Sequence, residues 1–162
     1  MNAVRTIQQP DPQPCVLFVD DDAGNRQAFR TAFRHAMTVL VAKDLQEAWA
    51  LLTTNHVHVV IADQRMPGTR GSDLLALVRE RYPHVRRMLV TAYSDLDAVI
   101  EAVNKGGVTK YFAKPWVNDQ LVTAVNQAFE EVRAEEERSA YTERLLEANR
   151  QLEFALRQRL LS

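Results

Sequence analysis

Three consecutive carboxylates, Asp20, Asp21 and Asp22, follow directly on the apolar run CVLFV at 15–19, and Asp63 follows the run VHVVIA at 57–62. Thr91 stands near the end of RMLVTA (87–92), and Lys114, itself followed by Pro115, comes straight after KYFA (110–113). Gathering such acids is costly, because clustered carboxylates repel and raise one another's pKa. A divalent cation removes that cost, and an all-oxygen ligand set selects Mg²⁺ over softer metals. Brought together, these residues would make a Mg²⁺ site with a hydroxyl and an ammonium beside it.

Each residue also has a plainer reading. Aspartates cap helices, and Asp22 is read as only a cap or an exposed acid. Asp63 alone would be a turn former, Thr91 a β-forming residue and Lys114 a solvated lysine. Their common position, each at the end of an apolar run, gives them joint weight. Five such runs occur, the four above and TVLVA at 38–42, and they are continuously apolar, as strands covered on both faces are. Between them lie residues at helical spacing: Ala28, Phe29, Ala32 and Phe33; Ala48, Leu51 and Leu52; Leu74, Leu75 and Val78; Val99, Ala102 and Val103. Strands and helices in alternation predict a parallel α/β sheet with right-handed crossovers. Such sheets bind ligands just outside the carboxyl ends of their strands, which is where the acids, Thr91 and Lys114 fall.

From 118 to 161 the chain holds no Pro or Gly, which predicts a helix of roughly 65 Å at 1.5 Å per residue. Leu121, Val125, Ala128, Phe129 and Val132 suit packing on the sheet. Farther on, Leu145, Asn149, Leu152 and Leu156 fall at alternating d and a positions of a short heptad frame. The expected organisation is a disordered lead-in over 1–14, a globular domain over 15–133 and a helical extension over 134–162. The extension is either a coiled coil that pairs two copies or a linker.

The whole chain has 162 residues, 46% of them apolar and 25% charged, with a net charge of -1. That balance gives no general attraction to nucleic acid or to an anionic membrane, and neither a DNA-reading helix pair nor a nucleotide-binding Gly-rich loop is recognisable. The single Cys15 cannot form an internal disulfide, so a cytoplasmic location is expected. His56 and His58 have the spacing of a metal pair but stand at the far end of their strand from the acids, and zinc is not expected there.

In these motifs the chain resembles the receiver domains of two-component response regulators, the CheY-like fold, over roughly residues 14–133. VLFVDDD, VVIADQRMPG, LVTAY and YFAKPW carry the resemblance, in order and each at an expected strand end. The DQRMPG and KPW forms look most like receivers of NtrC-type transcription activators, hydrogenase regulators among them, and recur in regulators with cyclic-di-GMP phosphodiesterase domains. The resemblance implies a doubly wound, flavodoxin-like sheet of order 2-1-3-4-5. It implies that Asp63 accepts a phosphoryl group from a histidine kinase or phosphotransfer protein. Mg²⁺ would be held by Asp21 directly, by Asp20 through water, by Asp63 and by the backbone carbonyl of Arg65. Thr91 and Lys114 would bind the phosphoryl group, and Thr91 with Tyr111 would form the switch. It also implies a cis Lys114–Pro115 bond. Arg65 and Tyr93 are bulky beside the acceptor, so slow self-dephosphorylation is expected rather than enzyme turnover. Two alternatives remain: a haloacid-dehalogenase-like phosphatase with Asp20 as nucleophile and Asp22 as acid, and a module of the same fold that acts without phosphorylation. The phosphatase would need Thr or Val at Gly24 and a later acidic pair, both missing.

Overall fold

The structure, a computed structural model, describes residues 12–92 and 94–162. The expected lead-in lies outside the described residues as far as residue 11, and 12–14 are irregular. Five strands alternate with five helices: β1 (Cys15–Val19), α1 (Ala23–Phe33), β2 (Thr38–Ala42), α2 (Leu45–Thr54), β3 (Val59–Asp63), α3 (Gly71–Arg81), β4 (Arg86–Ala92), α4 (Leu96–Gly106), β5 (Lys110–Lys114) and α5 (Asn118–Leu161). The sheet is parallel throughout, in the order β2-β1-β3-β4-β5, as the motifs implied.

The strand runs are continuously apolar because each face of the sheet carries its own core. Leu17, Val19, Val60, Ala62 and Leu89 point to one side, under α2, α3 and α4, where Leu52, Leu74, Leu75 and Val78 meet them. Val16, Phe18, Ile61, Met88 and Val90 point to the other and meet Phe29 and Phe33 of α1 and Leu121 and Val125 of α5. Phe18 and Phe29 stack with centroids 4.1 Å apart, tying α1 to β1 next to Asp20. Asp22 caps α1 by accepting the Asn25 N–H at 2.8 Å, and Asp44 caps α2 in the same way.

Several details differ from the sequence pattern: Ala28 and Ala32 of α1 are exposed, β4 begins at Arg86 and β5 ends at Lys114. β3 begins at Val59 rather than 57, and His58 before it is tied to β1 by backbone and side chain alike. Its backbone N–H bonds Cys15 O, while its ring Nδ1 accepts the Cys15 N–H at 2.9 Å, a side chain standing in for a ladder carbonyl. The ring is buried edge-on against Phe129, 4.8 Å away, and burial pushes its pKa below the ordinary histidine range. In α4 the buried face is Ala98, Ala102 and Gly106, not Val99, Ala102 and Val103. Small residues let α4 approach α3 closely: a Cβ at Gly106 would sit 3.2 Å from Leu75 Cβ. Val103, with Leu96 and Ile100, is left facing solvent. The end of α4 is held by Arg87, whose buried guanidinium donates to the carbonyls of Gly106 (2.7 Å) and Gly107 (3.4 Å), with Val85 (2.8 Å) and Pro83 (3.2 Å) on the near side. These four acceptors supply the hydrogen bonds that a buried charge requires.

α5 is one continuous helix of 44 residues. It packs on the sheet through Leu121, Ala124, Val125, Ala128, Phe129 and Val132. At the amino edge of the sheet it is tied down by Arg86, which bonds Glu131 (3.3 Å) and Glu135 (2.6 Å), and by His56 Nε2 against Glu136 Oε1 (2.7 Å). Every residue from 137 onward is exposed.

Candidate functional site

Strand register does most of the assembly. Val19 pairs with Ala62, so the next residue of each strand, Asp20 and Asp63, emerge side by side at the carboxyl edge. Asp63 pairs with Val90, which places Thr91 one step beyond it on the neighbouring strand. Thr91 pairs with Ala113, and Lys114 follows as the last residue of β5. Lys114 starts two strands from Asp63, and its four-carbon stem carries Nζ back over β4 to 2.9 Å from Asp63 Oδ2 and 4.0 Å from Asp20 Oδ2. The Lys114–Pro115 bond is cis. Asp20, Asp21 and Asp63 each bring one carboxylate oxygen within 4.8 Å of the others; Asp20 and Asp63 are buried and Asp21 is exposed. The sequence-selected acids, Thr91 and Lys114 therefore share one edge. Asp22, turned to its cap on α1, is not among them.

Three carboxylates against one ammonium leave the cluster short of positive charge. At an effective dielectric near 20, two unit charges ~5 Å apart repel by about 3 kcal/mol. Asp20 is 1% exposed, and burial, reinforced by the charge of Asp63, raises its pKa above the usual carboxylate value. Hydrogen bonds from Asp22 N–H (2.9 Å) and Asn25 Nδ2 (3.1 Å) offset part of that rise. A hard divalent cation fits this donor set: oxygen ligands only, clustered, underneutralised and open to solvent on the Asp21 side.

Thr91 is 3% exposed, and its Oγ1 is the one buried side-chain polar atom among the described residues with no hydrogen-bond partner. Leaving a buried hydroxyl unpaired costs about 1–3 kcal/mol. The cost is borne at the rim of an acidic, cation-competent cleft. Around it the loop after β3 begins with the Arg65 N–H on Asp63 Oδ1 (3.3 Å), and the Arg65 side chain leans towards Asp95 (3.8 Å). Gly68 takes φ of 84°, a conformation that glycine adopts freely. Tyr111 is 54% exposed, turned outward on the edge strand. Tyr93 lies outside the described residues.

Several residues at the site escaped the sequence reading. Asn25 and Arg26, on the first turn of α1, bond Asp20 at its carboxylate and, at 2.8 Å, its carbonyl. Their place directly after an acidic run was the available signal. Gln64 and Ser72 pair in the interior behind Asp63, and nothing in their types or spacing announces it. At the opposite edge, Glu136 joins His56 and His58 within 4.8 Å. His58 Nδ1 is already an acceptor there, so the neutral ring carries its proton on Nε2 and has no free lone pair for a metal.

The model of the response regulator receiver domain matches residues 16–126. This chain belongs to that family. Among curated proteins, the receiver is 41% identical over 120 residues to the hydrogenase transcriptional regulatory protein HoxA of Cupriavidus necator, covering 74% of this chain and 25% of that protein. It is 34% identical over 114 residues to the transcriptional regulator NtrC of Salmonella typhimurium, covering 70% and 24%. The chain thus spans about a quarter of the length of these relatives. Among solved structures it is similar to the signal receiver domain of an HD domain-containing protein from Pseudomonas fluorescens, at TM-score 0.72 and 31% identity, covering 76% of this chain and 99% of that one. Receivers are signalling domains, and no helix among the described residues of this one is long and apolar enough to cross a membrane.

The strain at Asp20 has a measurable sign. A carboxylate whose folded pKa is raised favours the folded state most in acid, and that contribution is lost as pH rises through its folded value. At neutral pH, Asp20→Asn therefore raises the melting temperature of the metal-free chain. The same variant loses most of the stabilisation that added Mg²⁺ gives the parent. Calorimetric melts in chelator and in Mg²⁺ check both signs.

Proposed function

We propose that this chain is a phosphorylation-activated receiver in which Asp63 accepts a phosphoryl group from the phosphohistidine of a cognate kinase or phosphotransfer protein. The observation that carries the reading is the orphaned Thr91 hydroxyl beside an underneutralised carboxylate cluster. A phosphoryl group on Asp63 supplies the acceptor oxygens that Thr91 lacks. In the transfer, a carboxylate oxygen of Asp63 forms a bond to phosphorus while the phosphorus–nitrogen bond of the donor breaks. The electron pair leaves with the imidazole, which ends neutral. Asp20, Asp21, Asp63 and the Arg65 carbonyl would hold Mg²⁺, which when bound neutralises charge on the acids and on the phosphoryl oxygens. Lys114, already on Asp63 Oδ2, keeps the acceptor oriented and then shares its charge with the phosphoryl group.

The switch follows from the same two donors. Moving a two-state equilibrium from 1:99 to 99:1 requires about 5.5 kcal/mol of differential binding, and charge-assisted hydrogen bonds give about 1.5–3 kcal/mol each. New bonds from Thr91 and Lys114 supply most of it. Drawing Thr91 towards the phosphoryl group vacates the space beside β5 into which the outward Tyr111 turns, reshaping the face formed by α4, β5 and α5. Arg65, on the side from which water reaches Asp63, keeps self-dephosphorylation slow. From 134 onward α5 pairs with a second copy as a parallel coiled coil, with Leu145, Asn149, Leu152 and Leu156 along its seam. All four are exposed in the single chain.

Incubation with a small phosphodonor such as phosphoramidate and Mg²⁺ adds one phosphoryl group to the parent chain, read by intact mass, and none to Asp63→Asn. Equal labelling of Asp63→Asn rejects the assignment. In sedimentation, the parent chain runs as a dimer and the triple variant Leu145→Ala, Leu152→Ala, Leu156→Ala as a monomer; a parent that stays monomeric at every concentration removes the coiled coil.

A further inference from the structure

Directly behind Asp63 lies a buried polar pair that the proposed chemistry does not use. Gln64 is 4% exposed and Ser72 is fully buried. Gln64 Oε1 accepts the Ser72 N–H at 2.8 Å, and Gln64 Nε2 donates to Ser72 Oγ at 3.1 Å. The backbone repeats the tie: Gln64 N–H bonds Val90 O (3.0 Å), and Gln64 O accepts the Gly71 N–H (3.1 Å). Gly71 completes it by close approach, since a Cβ there would overlap the Asp63 carbonyl and sit 2.9 Å from Gln64 Cα. The loop 65–70, with the Arg65 carbonyl in it, is thus stitched together at its two stems.

A carboxamide at this depth needs a reason, because apolar side chains would fill the space without the cost of matching polar atoms. What an apolar pair would not do is fix direction. Two hydrogen bonds from one amide to one serine set both the distance and the rotation between the end of β3 and the first turn of α3. Outer groups that orient ligands typically change metal affinity 10–100-fold when removed.

We propose that Gln64 and Ser72 are positioning residues that set the Mg²⁺ affinity of the acidic site by fixing the loop that presents the Arg65 carbonyl. The proposal rests on the Mg²⁺-binding reading of Asp20, Asp21 and Asp63. It makes the clamp, rather than the acids alone, responsible for how tightly the cation is held.

Mg²⁺ titration calorimetry on the full chain tests it, with melting in chelator as an independent record of folding. Gln64→Ala weakens Mg²⁺ binding about tenfold or more, and Ser72→Ala, which keeps the Ser72 N–H bond, weakens it less. The double variant is no weaker than Gln64→Ala, because Gln64→Ala already removes the bond that Ser72→Ala removes. Met37→Ala, buried among Phe33 and its neighbours away from the site, is the control for general loosening: it lowers the melting temperature but leaves Mg²⁺ affinity at the parent value. Parent-like Mg²⁺ affinity in Gln64→Ala overturns the inference, and so does an equal loss of affinity in Met37→Ala. Should Gln64→Ala not fold, Ser72→Ala decides in the same way, against the same control. A parent chain that takes up no Mg²⁺ overturns instead the reading on which the inference stands.

Discussion

Lys114 is one ammonium shared between two buried carboxylates, and the arrangement of the site depends on where that charge can reach. It belongs to the edge strand, two places from Asp63, so its side chain must cross the end of β4 to arrive at 2.9 Å from Asp63 Oδ2. Thr91 stands on that intervening strand, one residue before its end. A group bound to Asp63 would therefore meet the ammonium and the hydroxyl together. Parallel pairing makes this possible, since it brings the carboxyl ends of β1, β3, β4 and β5 to one edge and leaves the distances to side-chain length. The excess negative charge explains why the arrangement calls for a cation, and the unpaired hydroxyl why it calls for an acceptor.

The same sheet connects this edge to the opposite one. α5 begins three residues after Pro115, beside the acidic cleft, and its last contacts with the body are at the amino edge, where Arg86 and His56 meet Glu131, Glu135 and Glu136. Arg86 is the stronger anchor: its side chain is only 17% exposed, and it holds the Glu135 carboxyl below the usual range. The more exposed His56–Glu136 pair contributes little on its own. Beyond 136 every residue of α5 is exposed. In the proposed reading, this extension is part of the output.

How far the sequence reveals this depends on whether the determining contact is local in pattern. The strands were legible because faces covered on both sides leave unbroken apolar runs, and the candidate cluster because Asp20, Asp63, Thr91 and Lys114 stand at or next to the ends of those runs. α5 was legible because nothing in it breaks a helix. The burial of α4 was not: a face built from Ala98, Ala102 and Gly106 carries little hydrophobic signal, whereas the larger Val99 and Val103 dominate the pattern. Contacts that span long separations were also invisible, such as His56 with Glu136 and Cys15 with the ring of His58. Gln64 and Ser72 illustrate a third limit. Two ordinary polar residues eight apart give no hint of a buried clamp until the turn between β3 and α3 is known.

The central claim is that phosphoryl chemistry at Asp63 is felt by Thr91. It is tested most directly by a crystal structure of the chain with Mg²⁺ and beryllofluoride, a stable mimic of the phosphoryl group. The account predicts the mimic on Asp63, with Thr91 Oγ1 and Lys114 Nζ both within hydrogen-bonding distance of its fluorines and Tyr111 turned inward. A mimic seated on Asp63 with Thr91 Oγ1 still unpaired and Tyr111 still outward would contradict it.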